Sequence, residues 1–242
     1  MKRASPSIGE VLERFLDRPG TRDDDGNMVA VVDLLRSYLD GYGHELLSDE
    51  EAAFFQERYE EDEEAGAFCN LFGPERILEG LSEFLGSYVI RKVAAGPELT
   101  MAFGPVTDDL VRWLVEEGVV PAEAADGAKE LATAAAYDLP AAEELSTLLY
   151  DSGRDVDHDA VLEYLDWETE LAEISRIEPG RLWFRSELGE IGPVIVPERA
   201  TEVARLGWGV SAPGFGRTEA GWAHPRDGER LPELTRLPTP AW

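Results

Sequence analysis

The first two thirds of the chain carry their apolar residues at helical spacing. Ile8, Val11, Leu12, Phe15 and Leu16 recur at i, i+3, i+4, i+7 and i+8, and Arg18-Pro19-Gly20 supplies a stop. Asn27 is placed to cap a second helix bearing Val31, Leu34, Leu35, Tyr38 and Leu39, which Gly41-Tyr42-Gly43 would end. Ser48 with Glu51 three residues on is a capping box opening a third helix through Phe54, Phe55 and Tyr59. Pro74 sits at the first turn of the apolar-periodic run ERILEGLSEFLGSYVIRKVAA, and Pro105 or Thr107 opens DDLVRWLVEEG, with glycine after each. Two more helices are predicted over 122–137 and 141–150.

From Leu171 the period changes to two. ELAEISRI, RLWFRS and IGPVIVP read as three strands separated by the turn signals EPG and LGE, and PERATEVARLG as a short helix opened by proline. WGVSAPGF and GWAHPR supply two further strands, so that five short strands are expected over 170–235, rich in the glycine and proline that a small bent barrel uses. The fold class is therefore α+β: an acidic helical bundle over 1–169, a small SH3-like β-barrel over 170–235, and a proline-rich tail over 236–242.

Charge sharpens this division. The chain holds 50 acids against 22 bases, net −28, and its only lysines are Lys2, Lys92 and Lys129. Residues 1–169 hold 39 acids and 13 bases, net −26, whereas residues 170–242 hold 11 acids and 9 bases, net −2. Self-repulsion on this scale opposes a compact fold in dilute buffer and is screened when the Debye length falls to about 3 Å near 1 M salt. Acids with arginine at the expense of lysine resemble the proteins of salt-accumulating haloarchaea, and acidic runs such as 57–64 then serve solvation. No apolar run approaches the roughly 20 residues of a membrane span, and the N-terminus lacks a signal-peptide apolar region, so a soluble cytoplasmic protein is expected. The single cysteine, Cys69, excludes an intramolecular disulfide and a paired-cysteine zinc site; in AFCNLF it reads as a small buried hydrophobe, with a reactive thiol as the alternative.

The stretch DSGRDVDHDAVLEYLDWE spaces Asp155, Asp157 and Asp159 as positions 1, 3 and 5 of a calcium loop, with Asp166 at position 12. Ala160 occupies the position that needs glycine, and Val161, Leu162, Tyr164 and Leu165 form an apolar face only in a helix. The competing reading makes Asp157 or Asp159 the cap of a final helix leading through Trp167 to the hinge between the domains. His44, His158 and His224 share no metal-ligand spacing, and neither a nucleophile elbow nor a phosphate-cradling glycine loop is present; no cofactor is expected. Arg91 and Lys92 form a basic pair in the most acidic part of the chain, which either complements a helix C-terminus or marks a secondary contact.

The C-terminal segment is the richest in recognition chemistry, with nine arginines in 73 residues and Trp183, Trp208, Trp222 and Trp242. Arginine and tryptophan dominate protein interfaces, and arginine beside aromatics also stacks on nucleic-acid bases. Arg181, Trp183, Arg185, Trp208, Arg217 and Trp222 are the candidate partner-binding set; the plainer reading makes the tryptophans the core of a small barrel.

FLGSYVIRKV, DDLVRWLVEEGVV, RIEPGRLWF, IGPVIVP and RLGWGVS resemble, in that order and across roughly residues 75–222, the pattern of an uncharacterised prokaryotic, haloarchaeal-type family with an acidic helical part and a small β part. That resemblance implies the two-part fold and no activity. The middle helices, with WLVEEG, also resemble the core-binding helical domain of tyrosine recombinases, whose arginine-histidine-arginine-tyrosine catalytic set has no counterpart here. The functional expectation is a non-enzymatic cytoplasmic adaptor engaging a protein partner through the C-terminal barrel. Nucleic-acid binding by the same Arg/Trp face is the alternative, and a metal-dependent hydrolase a third.

Overall fold

The computed structural model describes residues 6–19, 25–63, 65–152, 163–164, 171–186, 189–211, 216–218, 221–223 and 233–236. Among these the chain is mostly helical, with a small, largely antiparallel sheet in its C-terminal part. It divides into two compact units, one built chiefly from Met1–Tyr88 and Ala94–Tyr137, the other from Val89–Val93 and Asp138–Pro240. This contact-based division runs elsewhere than the compositional one at 169/170.

In the helical unit, α1 (Ile8–Leu16) buries Ile8, Val11, Leu12 and Phe15, the stripe its spacing announces, and Ser7 and Glu10 close a capping box at its start. Each such apolar side chain taken fully out of water contributes about 1.5–3 kcal/mol. α2 (Asn27–Tyr42) starts one residue earlier than a cap at Asn27 would place it: left-handed Gly26 is the N-cap and donates no side chain. Ser48 and Glu51 form the expected capping box of α3 (Asp49–Glu61), no residue of which is buried. A single turn, α4 (Phe68–Leu71), leads to α5 (Glu75–Glu83), where Pro74 is the N-cap.

The long apolar run after Pro74 is not one regular helix. Phe84–Tyr88 winds as a π segment between α5 and α6 (Val89–Lys92). α7 also begins earlier than predicted, at Pro97, which occupies the first helical turn where its missing N–H costs nothing, and continues through Pro105 to Glu116. The two helices predicted over 122–137 and 141–150 are instead one, α8 (Asp126–Ser152), with Pro140 inside it. Packing explains why α8 is not broken: Leu139, Ala142, Leu145 and Leu149 stay buried along one stripe on both sides of the proline. Gly104 of α7 meets Ala136 of α8 so closely that a Cβ would fall 2.6 Å from the Ala136 Cβ and nearer still to its backbone.

In the sheet unit, β2 (Leu171–Glu178), β3 (Arg181–Ser186) and β4 (Gly189–Ile195) match the predicted strands, and β2 joins β3 at Pro179-Gly180 by a turn whose glycine takes φ +70°. α9 (Glu198–Val203) follows, and Arg199 holds it to α8 through Glu144 at 2.6 and 3.0 Å. The remaining strands are β1 (Glu163–Tyr164), β5 (Gly209–Ser211), β6 (Gly216–Thr218), β7 (Gly221–Ala223) and β8 (Glu233–Arg236), in the order β1-β6-β7-β4-β3-β2-β5-β8. Seven described strands thus lie between Leu171 and Arg236, against the five expected, and part of the proline-rich end is the edge strand β8.

All pairings are antiparallel except that of β4 with β7 through Val194 and Trp222. The end strands β1 and β8 do not pair with each other, so the described sheet is open rather than a closed barrel. Tyr164, expected in a final helix, lies in β1 opposite Gly216, with Glu163 opposite Arg217. Ladder pairing overrides the helical phase there because a short helix nucleates at a cost that its own few hydrogen bonds do not recover.

Candidate functional site

Strand alternation puts Arg181, Trp183 and Arg185 on one side of β3 and Leu182 and Phe184 on the other. Leu182 and Phe184 are fully buried. Trp183 is also covered, at 8% exposure: the Arg176 guanidinium lies 4.4 Å from its ring centroid, and Gly192 approaches so closely that a Cβ would stand 2.6 Å from Trp183 Cδ1. The two strands beside it make room by bulging, β2 between Ile174 and Arg176 and β4 between Ile191 and Val194, where Gly192 and Pro193 oppose the single residue Trp183. Proline suits that position because it has no ladder N–H to lose.

Trp208 is fully buried, and its indole N–H has no acceptor among the described residues. Its backbone is tied to β2, since Ile174 N donates to Trp208 O at 2.9 Å. Trp183 and Trp208 are therefore buried within the sheet unit, where the plainer reading of the tryptophans places them. Arg217 lies in β6 and Trp222 in β7, directly paired, at positions whose side chains are outside the described set.

The arginines differ among themselves. Arg181 and Arg185 are exposed and make no ion pair among the described residues. Arg185 is nevertheless in register with Glu173 on β2 and Glu190 on β4, so acids flank it on both sides. Arg181 is in register with Glu178 on β2 and with Ile195 on β4, and Ile195 is 51% exposed. Sequence reasoning missed Ile195 because the strand IGPVIVP is apolar throughout and gives no sign of which residue faces outward. The visible part of this face is thus Arg181, Ile195 and Arg185 among glutamates.

Arg91 and Lys92 are exposed in α6 and likewise make no ion pair among the described residues. The calcium-loop residues Asp155, Asp157 and Asp159, together with His158 and His224, lie outside the described residues, and His44 is exposed in a short 3-10 turn (Gly43–Leu46). Among the described residues no three metal-ligating side chains converge. Cys69 is fully buried, and that burial, reinforced by Asp40, pushes its thiol well above the ordinary range, so it is held as a thiol. Asp138 in α8 is half-buried, which raises its carboxyl while the Arg205 charge lowers it. No described helix is long and apolar enough to cross a membrane.

The chain matches no family model, no curated protein and no solved structure.

Proposed function

We propose that the protein is a non-enzymatic adaptor that holds a protein partner against the β3–β4 face of its sheet unit, in a cytoplasm of high salt. One observation carries the reading: exposed Arg181, without an ion pair among the described residues, stands directly beside the 51% exposed Ile195. Directly opposed residues of an antiparallel pair share a face, so this is a guanidinium next to an uncovered apolar side chain, the combination that protein interfaces favour. An apolar contact of this kind survives salt that screens surface charge. Nucleic-acid binding fits the same face less well, because Glu173, Glu178 and Glu190 line the strands beside Arg181 and Arg185 and repel phosphate. The sheet unit we read as SH3-like, a reading supported by the bulges in β2, β4 and at Gly209/Val210 that bend the sheet.

The test is affinity capture at high salt, with and without nuclease, using the intact chain and the double variant Arg181→Glu with Ile195→Asp. Both positions are exposed, so the variant's melting curve should match the parent's within about 0.5 kcal/mol. The same partner should be recovered after nuclease and be lost with the double variant. Capture abolished by nuclease, or unchanged in the variant, overturns the reading.

A further inference from the structure

The helical unit carries one helix that is docked rather than embedded. α3 has no buried residue, and its 13 residues hold six acids, Asp49, Glu50, Glu51, Glu57, Glu60 and Glu61, against the single base Arg58, for a net charge of −5. Arg58 is engaged within the helix, by Glu61 at 2.9 Å and over the ring of Phe54. The remainder of the unit is itself net −14, so α3 lies against charge of its own sign.

Three ties hold α3 in place. At its N-terminal end Arg76, beside α5's first turn, donates to Glu51 Oε1 at 2.6 Å, and the same guanidinium donates to the Leu46 carbonyl at 3.2 Å and to Glu79, which fixes its position. Among the described residues this is the one ion pair that joins α3 to another helix. In the middle, Phe55 lies against Phe68 and Phe72, at 6.0 and 6.2 Å between ring centroids. Those two rings stack on each other at 4.5 Å, and Phe68 is fully buried. At the C-terminal end the chain doubles back, and Gly66 comes so near that a Cβ would stand 2.6 Å from the Arg58 carbonyl oxygen. The helix thus has a polar latch at one end, an aromatic seat, and a tight turn on which to pivot.

Salt acts unequally on these parts. Exposed like charges repel across about 10 Å at 0.1 M and about 3 Å at 1 M, whereas a pair with one partner largely covered is screened much less, and the Arg76 side chain is only 17% exposed. High salt therefore removes the repulsion and leaves the latch and the ring contacts.

We propose that α3 is a salt-gated lid, closed over Phe68 and Phe72 at high ionic strength with Arg76 as its latch. As salt falls it is released from the latched end and uncovers the two rings while the rest of the unit stays folded. This device is independent of the sheet face.

Amide hydrogen exchange of the intact chain tests it, with KCl stepped down from about 3 M for as long as α7 keeps its protection. Amides of α3 should be protected at about 3 M and exchange at least about tenfold faster before α7 responds, with Nile red, a neutral dye of apolar surfaces, brightening over the same interval. Arg76→Gln should accelerate α3 about tenfold at high salt and leave α7 unchanged. Glu79→Gln removes another carboxylate from the same arginine without touching α3 and should change α3 exchange less than about twofold. Unprotected α3 at about 3 M, loss of protection by α3 and α7 together, release without brightening, or equal effects of Arg76→Gln and Glu79→Gln would each overturn the lid.

Discussion

The helical and sheet units handle charge in opposite ways. The helical unit carries 29 acids and 10 bases, net −19, and every described basic side chain in it is already engaged by a carboxylate. The sheet unit carries 21 acids and 12 bases, net −9, yet leaves Arg91, Lys92, Arg181 and Arg185 without an ion pair among the described residues. A scarce cation in a strongly acidic unit is drawn to the nearest carboxylate, so what remains exposed is negative. In the sheet unit the strand register fixes where each arginine stands, and Arg181 ends up beside an isoleucine. Under the proposed reading the sheet unit offers an apolar contact pinned by arginine, whereas the described surface of the helical unit is left negative.

Their interiors differ in the same spirit. Helices of the first unit approach through a missing side chain, Gly104 against Ala136, while the second buries two tryptophans. Replacing Gly104 by Ala forces a Cβ into a backbone that cannot yield, and should cost about 3 kcal/mol in a urea melt followed by the fluorescence of Trp113, which packs 5.6 Å from Phe15 in this unit. If the loss is under about 0.5 kcal/mol, close helix approach is not what holds the helical unit together. Replacing Gly192 by Ala strains a backbone at φ +143° and crowds the Trp183 ring. A smaller loss of about 2 kcal/mol is expected, seen as a change in Trp183 and Trp208 emission with Trp113 unaffected.

The smallest effect concerns the start of α3. Ser48→Ala removes a cap and should cost about 1 kcal/mol. Hydrogen bonds from the Ser48 backbone N–H and then its hydroxyl, with Arg76 beyond, lower Glu51 from its ordinary 4.5 to about 2. Because the folded value is the lower one, this stabilisation is present above pH 4.5 and is lost as pH falls toward 2. Stability curves of the parent and Glu51→Gln should converge across that interval; curves that stay parallel would show that the capping box does not hold the carboxylate.

Local chemistry explains which of these features could be read in advance. The capping box Ser48/Glu51, the stripe Ile8-Val11-Leu12-Phe15 and the turn Pro179-Gly180 depend on neighbours a few residues apart, and all stand where periodicity put them. The helix expected around Tyr164 did not, since its competitor, the ladder to Gly216, lies 52 residues away along the chain. Of the candidate contact set, Arg181 and Arg185 are exposed and Trp183 and Trp208 are buried. The contacts of Tyr88 with Tyr38 and Tyr42, 5.1 and 5.7 Å between ring centroids, could not be read in advance, because Tyr88 ends a π segment, Phe84–Tyr88, that leaves no mark on the apolar pattern.

By itself the sequence determined the acidic balance, the helical-then-strand order, the Ser48/Glu51 capping box and the Pro179-Gly180 turn, all set by composition or by spacing within a turn. Tertiary structure alone decided that α8 continues through Pro140, that Trp183 and Trp208 are buried, and that Ile195 and Tyr42 remain uncovered. Those outcomes depend on which surfaces meet across long stretches of chain, and burial is a property of the meeting rather than of the residue.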